Sequence, residues 1–226
     1  MEFKVECGPV FTVVRVTMNS GEVIKAEAGA MVSMTPTIEL KAKTTGKGLF
    51  GAIGAMVGGE SLFSSEFTAK GDGEVVLCQS TPGDIVHIKM PGNTTIFTQA
   101  GAYLAGSANL NISAQGSLKA LMSGEGLFLS KVVSDAAGGD LLIGSYGAIM
   151  VKELKAGETY IVDTGHIVAF EQSVQYKIKK ASKGIFSSMA SGEGLVGEYS
   201  GPGKIWIQTR NLSSLASALL PFLPKK

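Results

Sequence analysis

A short glycine–glutamate signature recurs three times along this 226-residue chain, and it limits the possible folds more than any other feature. The copies are Gly58-Gly59-Glu60-Ser61-Leu62-Phe63, Ser123-Gly124-Glu125-Gly126-Leu127-Phe128 and Ser191-Gly192-Glu193-Gly194-Leu195-Val196. Their glutamates stand 65 and 68 residues apart, far longer than one strand or helix. A fixed period of this length marks a unit of several elements used repeatedly.

Other landmarks keep the same order around each copy. A turn (Ser20-Gly21-Glu22, Pro91-Gly92-Asn93, Ala156-Gly157-Glu158) is followed by a glycine step at Gly29, Gly101 and Gly165. An alternating strand comes next, with Ile38 and Leu40, then Leu110 and Ile112, then Tyr176 and Ile178 as its apolar positions. After the signature comes a second turn, then the apolar runs Val75–Leu77, Leu141–Ile143 and Ile205–Ile207. The spacing predicts three repeats, 1–78, 79–144 and 145–210, in one compact body. Units this small bury too little surface to stand alone, so they are expected to share a core about a pseudo-threefold axis or in a row.

Period-two alternation predicts an all-β fold. Val10, Thr12, Val14, Val16 and Met18 form one face of a strand, and Val23–Ala28 a second. In 37–43 the apolar Ile38, Leu40 and Ala42 alternate with Glu39, Lys41 and Lys43, which predicts one wet face. Residues 47–58 break the pattern, with Leu49, Phe50, Ile53, Met56 and Val57 at helical spacing. Each glycine inside that helix costs about 1 kcal/mol relative to alanine, so it would need tertiary support.

The stretch after Arg210 differs from the rest. Asn211 can cap a helix, and Leu212, Leu215, Ala216, Leu219 and Leu220 form an apolar stripe ended by Pro221 and extended by Phe222 and Leu223. A helix this short is marginal alone in water. It is expected to dock on its own body, on another subunit or on a membrane surface, with Leu212, Leu215, Leu219, Leu220, Phe222 and Leu223 as contact residues.

Composition excludes several functions. With 45% hydrophobic and 17% charged residues, a packed globular body is expected. A net charge of +1 argues against a polyanion binder, so nucleic acid is not an expected partner. Cys7 and Cys78 read as two buried thiols rather than a disulfide, and Met1-Glu2-Phe3-Lys4-Val5 has no secretory character, which together predict a cytoplasmic protein with a membrane surface as a candidate contact. Gly46-Lys47-Gly48-Leu49-Phe50-Gly51 fits a dinucleotide fingerprint, but its flanking strands alternate as antiparallel ones do. His87 and His166 fall at non-matching places in different repeats, so no metal or other cofactor is expected. The glutamates Glu60, Glu125 and Glu193, each after Gly59, Gly124 or Gly192, could converge on a cation or basic partner. The simpler reading is that each carboxylate accepts N–H bonds from its own glycine-rich turn.

With Gly59-Glu60-Ser61-Leu62-Phe63 as its most specific piece, and with the glycine-rich helix and the Leu220-Pro221-Phe222-Leu223-Pro224 stretch, the chain resembles the mitochondrial biogenesis proteins named for altered inheritance of mitochondria. The resemblance implies a double-stranded β-helix or β-sandwich fold like that of the tryptophan RNA-binding attenuation proteins. Relatives of this kind are often oligomeric, and a homo-oligomer, a trimer or a multiple of one, is expected here. The mitochondrial members are linked to inner-membrane organisation, and no catalytic residues transfer. The expected function is a non-enzymatic oligomeric β-scaffold for protein assembly or membrane-surface organisation. A small-ligand or RNA-binding module is the alternative, and an enzyme or metal binder using the repeated glutamates a third.

Overall fold

The structure is a computed structural model that describes residues 1–44, 63–115, 129–180 and 195–223. The glycine-rich helix expected over 47–58 and the signature residues Gly59, Glu60, Gly124, Glu125, Gly192 and Glu193 lie outside the described residues.

The described chain is nearly all β, in antiparallel sheets. The first segment supplies β1 (Glu2–Glu6), β2 (Val13–Met18), β3 (Val23–Glu27), β4 (Met31–Met34), β5 (Ile38–Thr44), β6 (Phe63–Ala69) and β7 (Gly73–Cys78). The second supplies β8 (Ile85–Met90), β9 (Thr95–Gln99), β10 (Tyr103–Ser107), β11 (Asn111–Gln115), β12 (Leu129–Val133) and β13 (Gly139–Gly144). The third supplies β14 (Ile149–Leu154), β15 (Thr159–Asp163), β16 (Ile167–Glu171), β17 (Gln175–Lys180), β18 (Leu195–Ser200) and β19 (Gly203–Gln208). A short helix, α1 (Leu212–Leu219), and a 3-10 turn, Leu220–Phe222, follow.

Within the first segment β7 pairs with β2 and β4, and β6 with β3 and β5. In the second, β13 pairs with β8 and β10, and β12 with β9 and β11. In the third, β19 pairs with β14 and β16, and β18 with β15 and β17. Two ladders cross between segments, β3 with β10 and β9 with β16. The resulting sheets run β1-β2-β7-β4, β5-β6-β3-β10-β13-β8, β11-β12-β9-β16-β19-β14 and β15-β18-β17.

Sheet position explains the residue patterns. β7, β13 and β19 each lie between two strands and are buried on both faces, so Val75–Leu77, Leu141–Ile143 and Ile205–Ile207 are continuous apolar runs. β2 has one buried face, carrying Val14, Val16 and Met18. β5 departs from expectation: Ile38 is buried, but Leu40 and Ala42 are exposed. It is an edge strand with β6 as its one ladder partner among the described residues, and beyond Ile38 its apolar side does not join the cores. The turns before β3, β9 and β15 each hold a left-handed residue, Gly21 (φ 90°), Asn93 (φ 58°) and Gly157 (φ 79°). Asparagine tolerates that region better than other side chains, which shifts the expected match of the turns by one position.

Burial is spread over three clusters rather than gathered in one. The first, around Val14, Ile24 and Phe67, also takes Ile85, Leu104, Ala105 and Leu142 from the second segment. The second takes Val168, Ala169 and Trp206 from the third. The third, around Phe170 and Tyr199, takes Leu129 from the second and packs on Phe97. Neighbouring segments thus fill each other's cores at the crossing ladders.

Tyr199 lies fully inside the third cluster, 5.5 Å from the Phe170 ring and 6.2 Å from Tyr176. Its hydroxyl is buried without a hydrogen-bond partner. Burial, with Tyr176 beside it, raises the Tyr199 phenol well above its ordinary range. The phenol is neutral in the fold and ionises in the unfolded chain above about pH 10, so its contribution is intact below that pH and falls as pH rises. Tyr199→Phe is therefore expected to change stability near neutrality by less than about 1 kcal/mol and to weaken the alkaline loss. Thermal melts of both chains across the alkaline range measure this.

Candidate functional site

The C-terminal segment folds as its sequence dictates. The Asn211 side chain accepts a bond from the Ser214 amide at 2.7 Å and caps α1. Residues 212, 215, 216 and 219 then fall on one face, and Ser213, Ser214 and Ser217 on the other. No residue of α1 is buried. Leu212 is 54% exposed, Leu215 38%, Leu219 50%, Leu220 63%, Phe222 84% and Leu223 58%. The six expected contact residues are thus all exposed, and none of them is buried against the described body.

What holds this segment is polar. Asn211 donates from Nδ2 to His166 Nε2 at 2.8 Å, and His166 Nδ1 donates to the Gln208 carbonyl at 2.8 Å. His166 is therefore the imidazole tautomer with its proton on Nδ1, a structural bridge between β16, the end of β19 and the helix cap. Replacing Asn211 with alanine removes the cap and the anchor together. It is expected to cost about 1 kcal/mol of helix stability. Hydrogen exchange of the amides at 214–219 should quicken, while those of β19 stay slow.

At the base of the helix are two clefts. One, about 350 Å³, is lined by Tyr146, His166, Arg210, Asn211, Ser214 and Leu215 among others. The other, about 330 Å³, draws Glu27, Gln79, Gln99, Tyr146, Gln208 and Asn211 from all three segments. Gln79 Nε2 donates to the Gly101 carbonyl at 2.7 Å, and Gln208 Nε2 to the Gly165 carbonyl at 2.9 Å. The Gln79 and Gln99 Oε1 atoms are buried without a hydrogen-bond partner. These glutamines were missed in the sequence because they do not occupy matching positions in the three segments.

Other titratable groups are dispersed. His87 Nε2 lies 2.8 Å from Asp140 and its ring 4.6 Å from Phe3, so it ties β8 to β13 and β1. Cys7 and Cys78 are free thiols but not buried as expected: Cys7, just past the end of β1, is exposed, and Cys78, at the end of β7, is half-buried. Among the described residues no three His, Cys, Asp or Glu side chains group as metal ligands would, and no helix is long and apolar enough to cross a membrane.

Fold and site together define an all-β antiparallel protein carrying an exposed apolar helix after its last strand. Residues 3–210 match the family described as mitochondrial biogenesis AIM24, and the chain belongs to that family. The match ends one residue before the helix cap. An uncharacterised protein of Streptococcus pyogenes serotype M6 is 35% identical over 233 residues, covering 99% of this chain and 92% of the relative. The X-ray crystal structure of a Streptococcus pyogenes protein is similar with a TM-score of 0.79 and 32% identity, covering 98% of this chain and 99% of that one.

Proposed function

We propose that this protein is a non-enzymatic, homo-oligomeric β-scaffold that docks on a membrane surface through its C-terminal helix and turn. The observation that carries this reading is the exposure of Leu212, Leu215, Leu219, Leu220, Phe222 and Leu223, all within twelve residues of one another. Burying a large apolar side chain completely is worth about 1.5–3 kcal/mol, so six partly exposed ones leave several kcal/mol unused in water. An amphipathic helix lying in the headgroup plane recovers that energy. Charge favours an anionic lipid surface: Arg210, Lys225 and Lys226 flank the apolar residues, and 210–226 contains no Asp or Glu.

The body suits a scaffold. Three segments whose strands pair in the same way support reading it as three repeats of one unit, rigidly joined by the β3–β10 and β9–β16 ladders. Co-sedimentation with vesicles of phosphatidylglycerol and phosphatidylcholine tests the docking. The full chain is expected to pellet with them, and a chain ending at Arg210 to stay in the supernatant. Equal behaviour of the two chains would refute the role of the tail.

A further inference from the structure

We infer that copies of this chain join head to tail, β15 of one copy adding as a new strand to β4 of the next. The inference deepens the scaffold reading above and rests on its oligomeric part.

Two joints of this kind already exist inside the chain. At the first, Ala26, Lys25 and Ile24 of β3 lie opposite Ala105, Gly106 and Ser107 of β10. At the second, Thr98, Phe97 and Ile96 of β9 lie opposite Ala169, Phe170 and Glu171 of β16. Each joins the strand after the left-handed turn of one segment to the strand after the glycine step of the next. The described residues hold one more strand of each kind. β4 has β7 as its one ladder partner and β15 has β18, and no ladder joins the two.

The open sheets are complementary halves. The four-stranded sheet ends on β4 and the three-stranded sheet begins on β15. Set edge to edge they give the order β2-β7-β4-β15-β18-β17, which corresponds strand for strand to β8-β13-β10-β3-β6-β5. The register transfers as well. Ladders to β4, β10 and β16 break at the same place, between Met31 and Ser33, Tyr103 and Ala105, and Ile167 and Ala169. The internal joints then place Met34 opposite Ile161 and Thr35 opposite Tyr160 of the next copy.

Exposure marks these edges as unfinished. At the internal joints Leu104, Val168 and Ile24 are at most 1% exposed. On the open edges Val32 is 53% exposed, Met31 40%, Met34 38%, Tyr160 43% and Ile161 55%. Free edges are normally blunted by charge, lysine above all. The edge strands β1, β5, β8, β14 and β17 all carry lysine, and β11 is largely polar. β4 (Met-Val-Ser-Met) and β15 (Thr-Tyr-Ile-Val-Asp) carry neither lysine nor proline. The one charge on either strand is Asp163 at the end of β15, and both strands lie where the internal joints predict a partner. Because the two surfaces differ, the contact is heterologous and propagates until a ring closes or a filament grows.

The test uses two variants that each block one edge, Val32→Lys on β4 and Tyr160→Lys on β15, at the positions that Leu104 and Ile24 fill, fully buried, at the first internal joint. Light scattering on the wild-type chain is expected to give a multiple of the 23.4 kDa chain mass. Each variant alone is expected to run as a monomer, its self-association weakened about a hundredfold or more by the buried charge. Mixed in equal amounts, they retain one good β15 and one good β4, and should form a dimer that grows no further. That dimer also shows that both variants fold. A monomeric wild type, a variant that still assembles alone, or a mixture that stays monomeric overturns the inference. Chain 1–210 is expected to assemble like the full chain. Loss of assembly there, with both variants still assembling, would put the contact in the tail and overturn the edge assignment.

Discussion

Gly83→Ala is expected to destabilise the protein more than any other single small substitution. Gly83 sits in the turn before β8, where the three segments touch: it bridges to Phe11 on one side and Gly147 on the other. Thr12 N donates to its carbonyl at 3.1 Å, Asp84 N to the Gly147 carbonyl at 3.0 Å and Gly147 N to that of Pro82 at 3.0 Å. A Cβ at Gly83 would lie 1.7 Å from the Ser145 carbonyl oxygen and 3.1 Å from Gly147 N. Ser145 is itself held by its N–H, which donates to the Asp84 carbonyl at 3.0 Å, so both neighbours are fixed backbone and neither can swing aside as a side-chain end would. Overpacking costs about 1–3 kcal/mol where side chains can adjust, and separating the turns also loses bonds worth about 1 kcal/mol each. The expected loss is about 4 kcal/mol, a large part of the stability of an ordinary domain. Urea denaturation measures it. Gly71→Ala is the control, because its Cβ would meet only the Thr37 side chain at 3.5 Å and beyond. Gly71→Ala should denature like the parent; a Gly83→Ala chain that did the same would refute the close contact.

The second large effect concerns lipid. Phe222 is the most exposed large apolar side chain among the described residues, at 84%, and Leu220 follows Phe11 at 63%. Replacing both with serine is expected to remove about 3 kcal/mol of transfer energy, a roughly hundredfold loss of affinity for anionic vesicles. Neither side chain is buried in the body, so urea denaturation should be unchanged. Weakened binding with intact stability separates docking from folding. If both fall together, the tail is part of the body's own packing.

How much of this was legible follows from what each strand packs against. β3 was read to within one residue of its observed limits, because turns bound it and its apolar Ile24 and Ala26 meet a core. Val75–Leu77, Leu141–Ile143 and Ile205–Ile207 were legible as apolar runs because two-sided burial leaves no polar alternation. The α1 helix was legible because its cap, stripe and proline are all local signals. β15 was not singled out: Tyr160-Ile161-Val162 has no alternation to mark its faces. The outward side of β5 was misjudged because alternation tells which residues share a face, and not whether a neighbour covers it. The joints β3–β10 and β9–β16 link residues about 80 and 70 positions apart, and no local pattern encodes such pairing. The cleft glutamines escaped for the same reason, being brought together only by these joints.

The most direct test of docking places an environment-sensitive fluorophore at position 222. In a chain with Cys7 and Cys78 replaced, the label is attached through Phe222→Cys, and in a control through Glu2→Cys on the exposed start of β1. On adding anionic vesicles, emission at position 222 should shift to the blue as the label enters the acyl boundary, while that at position 2 stays constant. Unchanged emission at position 222 with vesicles in excess would contradict the account.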